Sequence, residues 1–125
     1  MTLATAKPVT FIQTRQPDSA AAFYRDALGL AYQGHDGFAH VFDLSGATLR
    51  ITEIPGWTAG PHPALGWHVS DITGAMAALK AKGVAFLIYP GMSMEETGYW
   101  TAPDGKAKVA WFNDPDGNLL SLTEA

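Results

Sequence analysis

The feature that most constrains the fold is an order of elements that the chain repeats. Each half begins with a strand pattern, continues with a helix pattern and ends with three more strand patterns. The first half places them at residues 9–14, 17–30, 31–33, 38–44 and 47–53. The second half places them at residues 65–71, 71–83, 84–89, 107–113 and 118–123. A repeat of about 60 residues indicates a duplicated structural unit.

Capping signals mark both predicted helices. Asp18 or Ser19 is expected to cap the first helix, and Gly29 is expected to end it. Ser70 or Asp71 is expected to cap the second helix, which Gly83 would end.

Three consecutive strands after each helix favour an α+β fold with mixed, mostly antiparallel sheets over a parallel α/β fold. A Pro/Gly-rich linker separates module 1–56 from module 64–125 within a single domain, 1–125. Each helix would cover one face of its sheet and leave the other free. Two such sheets side by side would form a curved cup around a cleft.

Composition excludes several functional classes. The net charge is −4, and no run of lysine or arginine provides the basic surface of a nucleic-acid binder or a membrane-surface helix. The chain has no cysteine, so disulfides and thiolate chemistry are excluded. No secretory signal pattern or membrane-spanning run is evident, so we expect a soluble cytoplasmic protein with neither nucleic-acid nor membrane partners.

The stretch "DPDGNLLSLT", residues 114–123, predicts a tight turn followed by a strand. Alternation gives Leu120 and Leu122 one face of that strand and Ser121 the other. Whether Ser121 faces a pocket then becomes the central question about function.

Three stretches carry a resemblance to a known family: "FYRDALGL" (23–30), "WHVSDITGAMAALKAKGV" (67–84) and "WFNDPDGNLLSLTE" (111–124). They resemble the vicinal oxygen chelate superfamily of glyoxalase I, extradiol dioxygenases, fosfomycin-resistance transferases and bleomycin-resistance proteins. The resemblance implies two βαβββ modules, a small-molecule ligand and a homodimer. It leaves the reaction open, because this fold supports several chemistries as well as simple binding.

The resemblance also implies a divalent metal held by histidine, glutamine or carboxylate side chains at four positions. Counting from the matching stretches places these positions at Val9, Arg50, Ala64 and Ser121. Divalent cations select imidazole or carboxylate ligands, which none of the four residues supplies. We therefore expect a cup without a metal or other cofactor, similar to the bleomycin-resistance branch.

Strand alternation predicts which side chains line this cup. The candidate ligand-binding residues are Phe11, Gln13, Thr48, Arg50, Thr52, His68, Trp100 and Ser121. Arg50 could bind a carboxylate or phosphate, or could pair with an acidic residue of the chain. His68 could contact a ligand or could be structural. The long segment 90–105 contains two methionines, Tyr99 and Trp100. It is either a lid over the ligand, or Tyr99 and Trp100 pack on their own sheet or across a dimer contact.

Three alternatives to simple binding remain open. A metal-dependent lyase, isomerase or dioxygenase could use the displaced ligands His68, His40 and Glu53. A metal-independent acid–base enzyme could use His68 near Arg50. The domain could also be an interaction module with no ligand.

Overall fold

The computed structural model describes residues 2–125. The chain forms two compact units, Met1–Thr58 and Ala59–Ala125, each with a four-stranded mixed sheet and little helix. This arrangement confirms the predicted α+β class with two modules. Within residues 2–125, none of the helices has both the length and the apolar character needed to cross a membrane.

The first module begins with a 3-10 turn, Leu3–Thr5, followed by strand β1. Its sheet has the order β1-β4-β3-β2, in which β1 is parallel to β4 and the other pairs are antiparallel. The elements are β1 Val9–Thr14, α1 Pro17–Ala22, β2 Ala31–His35, β3 Ala39–Leu44 and β4 Ala47–Glu53. The chain between α1 and β2 continues as a π-helical segment, Phe23–Ala27.

The core of the first module lies between the sheet and these helical segments. Ile12 on β1 is buried, as are Leu49 and Ile51 on the neighbouring strand β4. The fully buried Tyr24 packs its ring on Phe42, with centroids 6.2 Å apart. The helical segments therefore cover one face of the sheet, and we call the opposite side the helix-free face.

The second module repeats this plan. Its elements are β5 Pro63–His68, α2 Ile72–Ala81, β6 Trp100–Thr101, β7 Lys108–Asn113 and β8 Leu119–Glu124. The sheet order is β5-β8-β7-β6, again with one parallel pair, β5 and β8. Its core side carries the buried residues Ala110, Phe112, Leu120 and Leu122. Helix α2 contacts β7 and β8 and contributes the buried Ile72 and Met76.

The two helix starts differ in how well the sequence predicts them. Asp71 caps α2 as expected, because its side chain accepts a hydrogen bond from the Gly74 N–H at 3.1 Å. The expected cap at Asp18 or Ser19 is wrong: Gln16 is the N-cap, and its side chain makes no capping bond. Pro17 occupies the first helical position, where the missing N–H costs nothing and the fixed φ suits a helix.

One predicted strand is wrong. Residues 84–89 form only an isolated bridge between Phe86 and Phe112, together with a 2.8 Å hydrogen bond from Leu87 N–H to Trp111 O. The reason lies in β7, whose edge opposite β8 is shared between two segments. Trp100–Thr101 pairs with Lys108 and Val109 as β6, and Phe86 and Leu87 meet β7 further along, at Phe112 and Trp111.

Candidate functional site

On the helix-free face of the first sheet, an arginine lies in the middle of three strands. The register places Arg50 between Phe11 on β1 and Val41 on β3. Its Nη2 donates to Asp36 Oδ2 at 2.7 Å. Asp36 Oδ1 accepts from the N–H groups of Phe38 and Ala39 at 3.0 and 2.9 Å. The turn before β3 therefore holds a carboxylate that fixes Arg50.

These contacts lower the pKa of Asp36 from 3.8 to about 2, mainly through the Ala39 N–H and then through Arg50 and the Phe38 N–H. A carboxyl whose pKa is lowered by folding stabilises the protein above its unfolded pKa, and this contribution is lost as the pH falls. We expect Asp36→Asn to be less stable than the parent protein at pH 6, with a gap that narrows between pH 4 and pH 2. Urea unfolding across this pH range measures the gap.

The matched control is Asp104→Asn, which changes an exposed turn carboxylate in the second module that accepts from the Lys106 N–H. This control should change the stability at pH 6 by about 0.5 kcal/mol or less. Parallel curves of stability against pH for the parent and Asp36→Asn between pH 4 and pH 2 would contradict the role assigned to Asp36.

The helix-free face of the second sheet carries aromatic and polar side chains in two cross-strand rows. One row contains Gly66, Ser121 and Trp111. The next row contains His68, Thr123, Val109 and Trp100. The alternation prediction for Ser121 and His68 is therefore consistent with this register, and both lie on the face opposite Leu120 and Leu122.

Three rings form an aromatic cluster on this face: Tyr89, Trp100 and Trp111. The Tyr89 and Trp111 rings meet edge to face with centroids 5.5 Å apart. Trp100 and Trp111 lie 6.4 Å apart at an interplanar angle of 41°. All three side chains are partly exposed. Because the rings are tilted rather than stacked, neither tryptophan covers the face of the other.

Gly66 lies in the same cross-strand row as Ser121 and Trp111. A Cβ added at this position would collide with Ser121 Oγ. The absent side chain on β5 thus gives the serine hydroxyl its room in the row that also contains Trp111. The row offers hydroxyl and imidazole groups beside an apolar ring, which is the usual composition of a small-molecule site.

The segment before β6 is anchored rather than detached. Met94 is fully buried, so it belongs to the core and not to a lid. Lys108 Nζ lies 5.5 Å from the Tyr99 ring centroid and 3.6 Å from Glu124 Oε2. The segment therefore resembles the sheet-packing alternative more than the lid.

Comparisons with known proteins agree with this architecture. The model of the Glyoxalase/Bleomycin resistance protein/Dioxygenase superfamily matches residues 6–122. The chain belongs to this superfamily. No curated protein matches the sequence significantly.

Solved structures with low sequence identity share the fold. A lactoylglutathione lyase from Agrobacterium tumefaciens is 19% identical with a TM-score of 0.71, over 97% of this chain and 94% of that one. A glyoxalase/bleomycin resistance protein/dioxygenase from Nocardioides is 15% identical with a TM-score of 0.73, over 99% and 85%. An integron cassette protein from the Halifax Harbour sewage outfall metagenome is 18% identical with a TM-score of 0.70, over 97% and 99%.

The positions that the superfamily resemblance assigns to metal ligands hold other chemistry here. Val9 is half-exposed at the start of β1, and Arg50 is paired with Asp36. Ala64 lies at the register irregularity of β5, and Ser121 is next to Gly66. An alkyl group, a cation, a methyl group and a hydroxyl do not fit the coordination of a divalent metal.

The predicted ligand-binding residues fall into two sets. Phe11, Gln13, Thr48, Arg50 and Thr52 share the helix-free face of the first sheet. His68, Trp100 and Ser121 share that of the second sheet. Their contact with a ligand stays a prediction. Tyr89 and Trp111 accompany the second set in the structure but are not among the predicted ligand-binding residues. Alternation along 107–113 already places Trp111 opposite the core position Phe112.

The alternative sites draw on residues from both modules. His40 and Glu53 lie on the helix side of the first sheet, whereas His68 belongs to the second module. Between Thr2 and Ala125, no three His, Asp or Glu side chains are grouped so that they could hold a metal ion. The acid–base pair His68 and Arg50 comes from separate modules and stays a prediction.

Proposed function

We propose that this superfamily member binds a small planar molecule on the helix-free face of its second sheet, without a metal and without chemistry. The observation that carries the proposal is the aromatic cluster next to the cross-strand neighbours Gly66 and Ser121. Rings that meet at a tilt leave aromatic surface available for stacking. His68 and Thr123, in the next row, supply groups that can orient a ligand by hydrogen bonds.

The donor set supports the absence of a metal from the mechanism. Valine, arginine, alanine and serine at the four family positions give a cation neither imidazole nor carboxylate. Binding without turnover is what the bleomycin-resistance branch of the resemblance implies. From the same resemblance we propose a cytoplasmic homodimer.

The test uses coumarin, a neutral planar probe, and the four indole N–H signals of the tryptophans in nitrogen-labelled protein. Coumarin should shift the indole signals of Trp100 and Trp111 in a saturable way. Trp67 lies in the row of Leu122, on the other face of the same sheet, and serves as the internal control. Trp111→Leu should weaken coumarin binding by roughly tenfold, because the stacking surface is lost.

Phe38→Leu is the matched control, since Phe38 is an exposed aromatic residue of the first module. It should bind coumarin as the parent does. Equal affinity in Trp111→Leu, or no shift of the Trp111 signal with coumarin, would overturn the proposal. Native mass spectrometry with elemental analysis accompanies the test, and one zinc, manganese or iron ion per chain would also overturn it.

A further inference from the structure

A pocket lies on the helix side of the first sheet, opposite its helix-free face. It is a pocket of about 420 Å³ at the start of α1. Residues that line it include Asp18, His35, Phe38, His40, Ile51 and Glu53. The size is within the range of small-molecule pockets, which is about 300–1,000 Å³. None of the residues of the aromatic cluster takes part in it.

A bulge in β2 brings the two histidines together. The register shifts between Tyr32 and Gly34, and Gly34 has a φ of 111° that other residues rarely adopt. The extra residue turns His35 to the same face as Tyr32, where it pairs with His40. The two imidazole rings meet edge to face with centroids 4.8 Å apart. The bulge thus builds one wall of the pocket.

Each imidazole in this wall makes a hydrogen bond through its Nδ1 atom. His35 Nδ1 accepts from the Gly37 N–H at 3.1 Å, so its remaining proton is on Nε2. His40 Nδ1 lies 2.7 Å from the Tyr32 hydroxyl. Burial, followed by the neighbouring His35, lowers the pKa of His40. With neutral histidines, the carboxylates of Asp18 and Glu53 give the pocket a net negative charge.

The arrangement favours an organic cation over a metal ion. Imidazoles and carboxylates line one cavity, yet in residues 2–125 no three of them are close enough to form a metal site. Phe38, which is 72% exposed, adds an aromatic ring to the lining. A ring of this kind attracts ammonium groups through its face. Ile51 provides apolar contact.

We infer that this pocket binds a small organic ammonium ion that carries an apolar or aromatic group. The carboxylates of Asp18 and Glu53 hold the charge, and the Phe38 ring and Ile51 hold the body of the ligand. The site is independent of the proposed function, because its residues belong to the first module alone.

The test uses three probes with one ring and different charge: 2-phenylethylammonium, 2-phenylethanol and phenylacetate. Methyl-labelled isoleucine gives a signal for Ile51 inside the pocket and for Ile72 in α2 as a control. The ammonium ion should shift the Ile51 signal with a dissociation constant of roughly a millimolar or better. The alcohol should bind at least tenfold more weakly, and phenylacetate should not shift the signal.

Glu53→Gln and Asp18→Asn should each weaken ammonium binding roughly tenfold, since each removes one charged partner. Glu95→Gln, an exposed carboxylate in the second module, is the matched control and should bind as the parent does. Equal shifts of Ile51 with all three probes, or none with the ammonium ion, would overturn the inference. So would unchanged affinity in both pocket variants.

The pH dependence provides a second readout. Protonation of His40 adds positive charge beside the ligand, and because its pKa is lowered from the usual 6.5, affinity should fall as the pH drops below 6.5. The groups facing His40 are Asp18, which favours its protonation, and His35 and Arg25, which oppose it. His40→Gln should flatten this dependence, whereas His62→Gln, outside the lining, should not. A parent affinity that rises towards pH 5.5 would contradict the charge argument.

Discussion

Phe112→Ala lowers the free energy of unfolding by about 3–5 kcal/mol, the usual cost of emptying a buried phenylalanine site. Phe112 is fully buried on β7, where it pairs with Leu120 and contacts the Phe86 ring at 5.4 Å. Strands hold its neighbours in place, so the cavity cannot collapse easily. Urea unfolding followed by circular dichroism measures the loss.

A loss of this size approaches the whole stability of a small domain, which is about 5–15 kcal/mol. Phe112→Leu therefore provides a milder variant, with an expected loss of about 1–2 kcal/mol. Phe38→Ala removes the same ring from a position that is 72% exposed and should change stability by about 0.5 kcal/mol or less. Similar losses for Phe112→Ala and Phe38→Ala would show that the assigned core is wrong.

The sequence predicts most of this core because period and turn chemistry agree there. The strand at 47–53 has the predicted bounds, since Ser45 and Gly46 adopt the left-handed conformations of the preceding turn. Helix α2 begins at its predicted cap for a similarly local reason. Prediction from sequence succeeds where the structure of a segment depends on its own residues and not on a distant partner.

Local rules fail where two segments compete for one partner. Residues 84–89 have the composition of a strand, yet the same edge of β7 pairs with Trp100–Thr101 at Lys108 and Val109. The sequence of neither segment alone indicates which part of β7 it pairs with. The start of α1 also differs from the prediction. Pro17 is the first helical residue, so Asp18 lies inside the first turn and not at the N-cap position.

The candidate sites follow the same distinction. The faces of Ser121 and His68 follow from alternation, which is local. The pairing of Arg50 with Asp36 depends on a turn 14 residues away, and the sequence left its partner open. The helix-side pocket needs a bulge at Gly34 to turn His35, and it joins Asp18 and Glu53 from separate elements. Pattern analysis alone does not supply such convergence.

Asp114→Ala should cost about 2–4 kcal/mol, a large effect for a turn residue. Asp114 Oδ1 accepts from the N–H groups of Asp116 and Asn118, both at 2.9 Å. Its Oδ2 accepts from Asn118 Nδ2 at 2.8 Å. All three residues are buried, so removing the carboxylate loses three hydrogen bonds that are made away from water. Urea unfolding gives the cost, and amide exchange at Asp116 and Asn118 shows where it arises.

Asp104→Ala is the matched control, because that carboxylate accepts from the Lys106 N–H in an exposed turn. Water can replace its bond, so the expected loss is about 0.5 kcal/mol or less. Equal losses in the two variants would mean that the "DPDGN" stretch owes its form to Gly117, whose φ is 85°, and to the backbone bonds between Asp114 and Asn118. A much larger loss at Asp114 would show that its carboxylate organises the turn that sets the register of β8 and thereby places Ser121 beside Gly66.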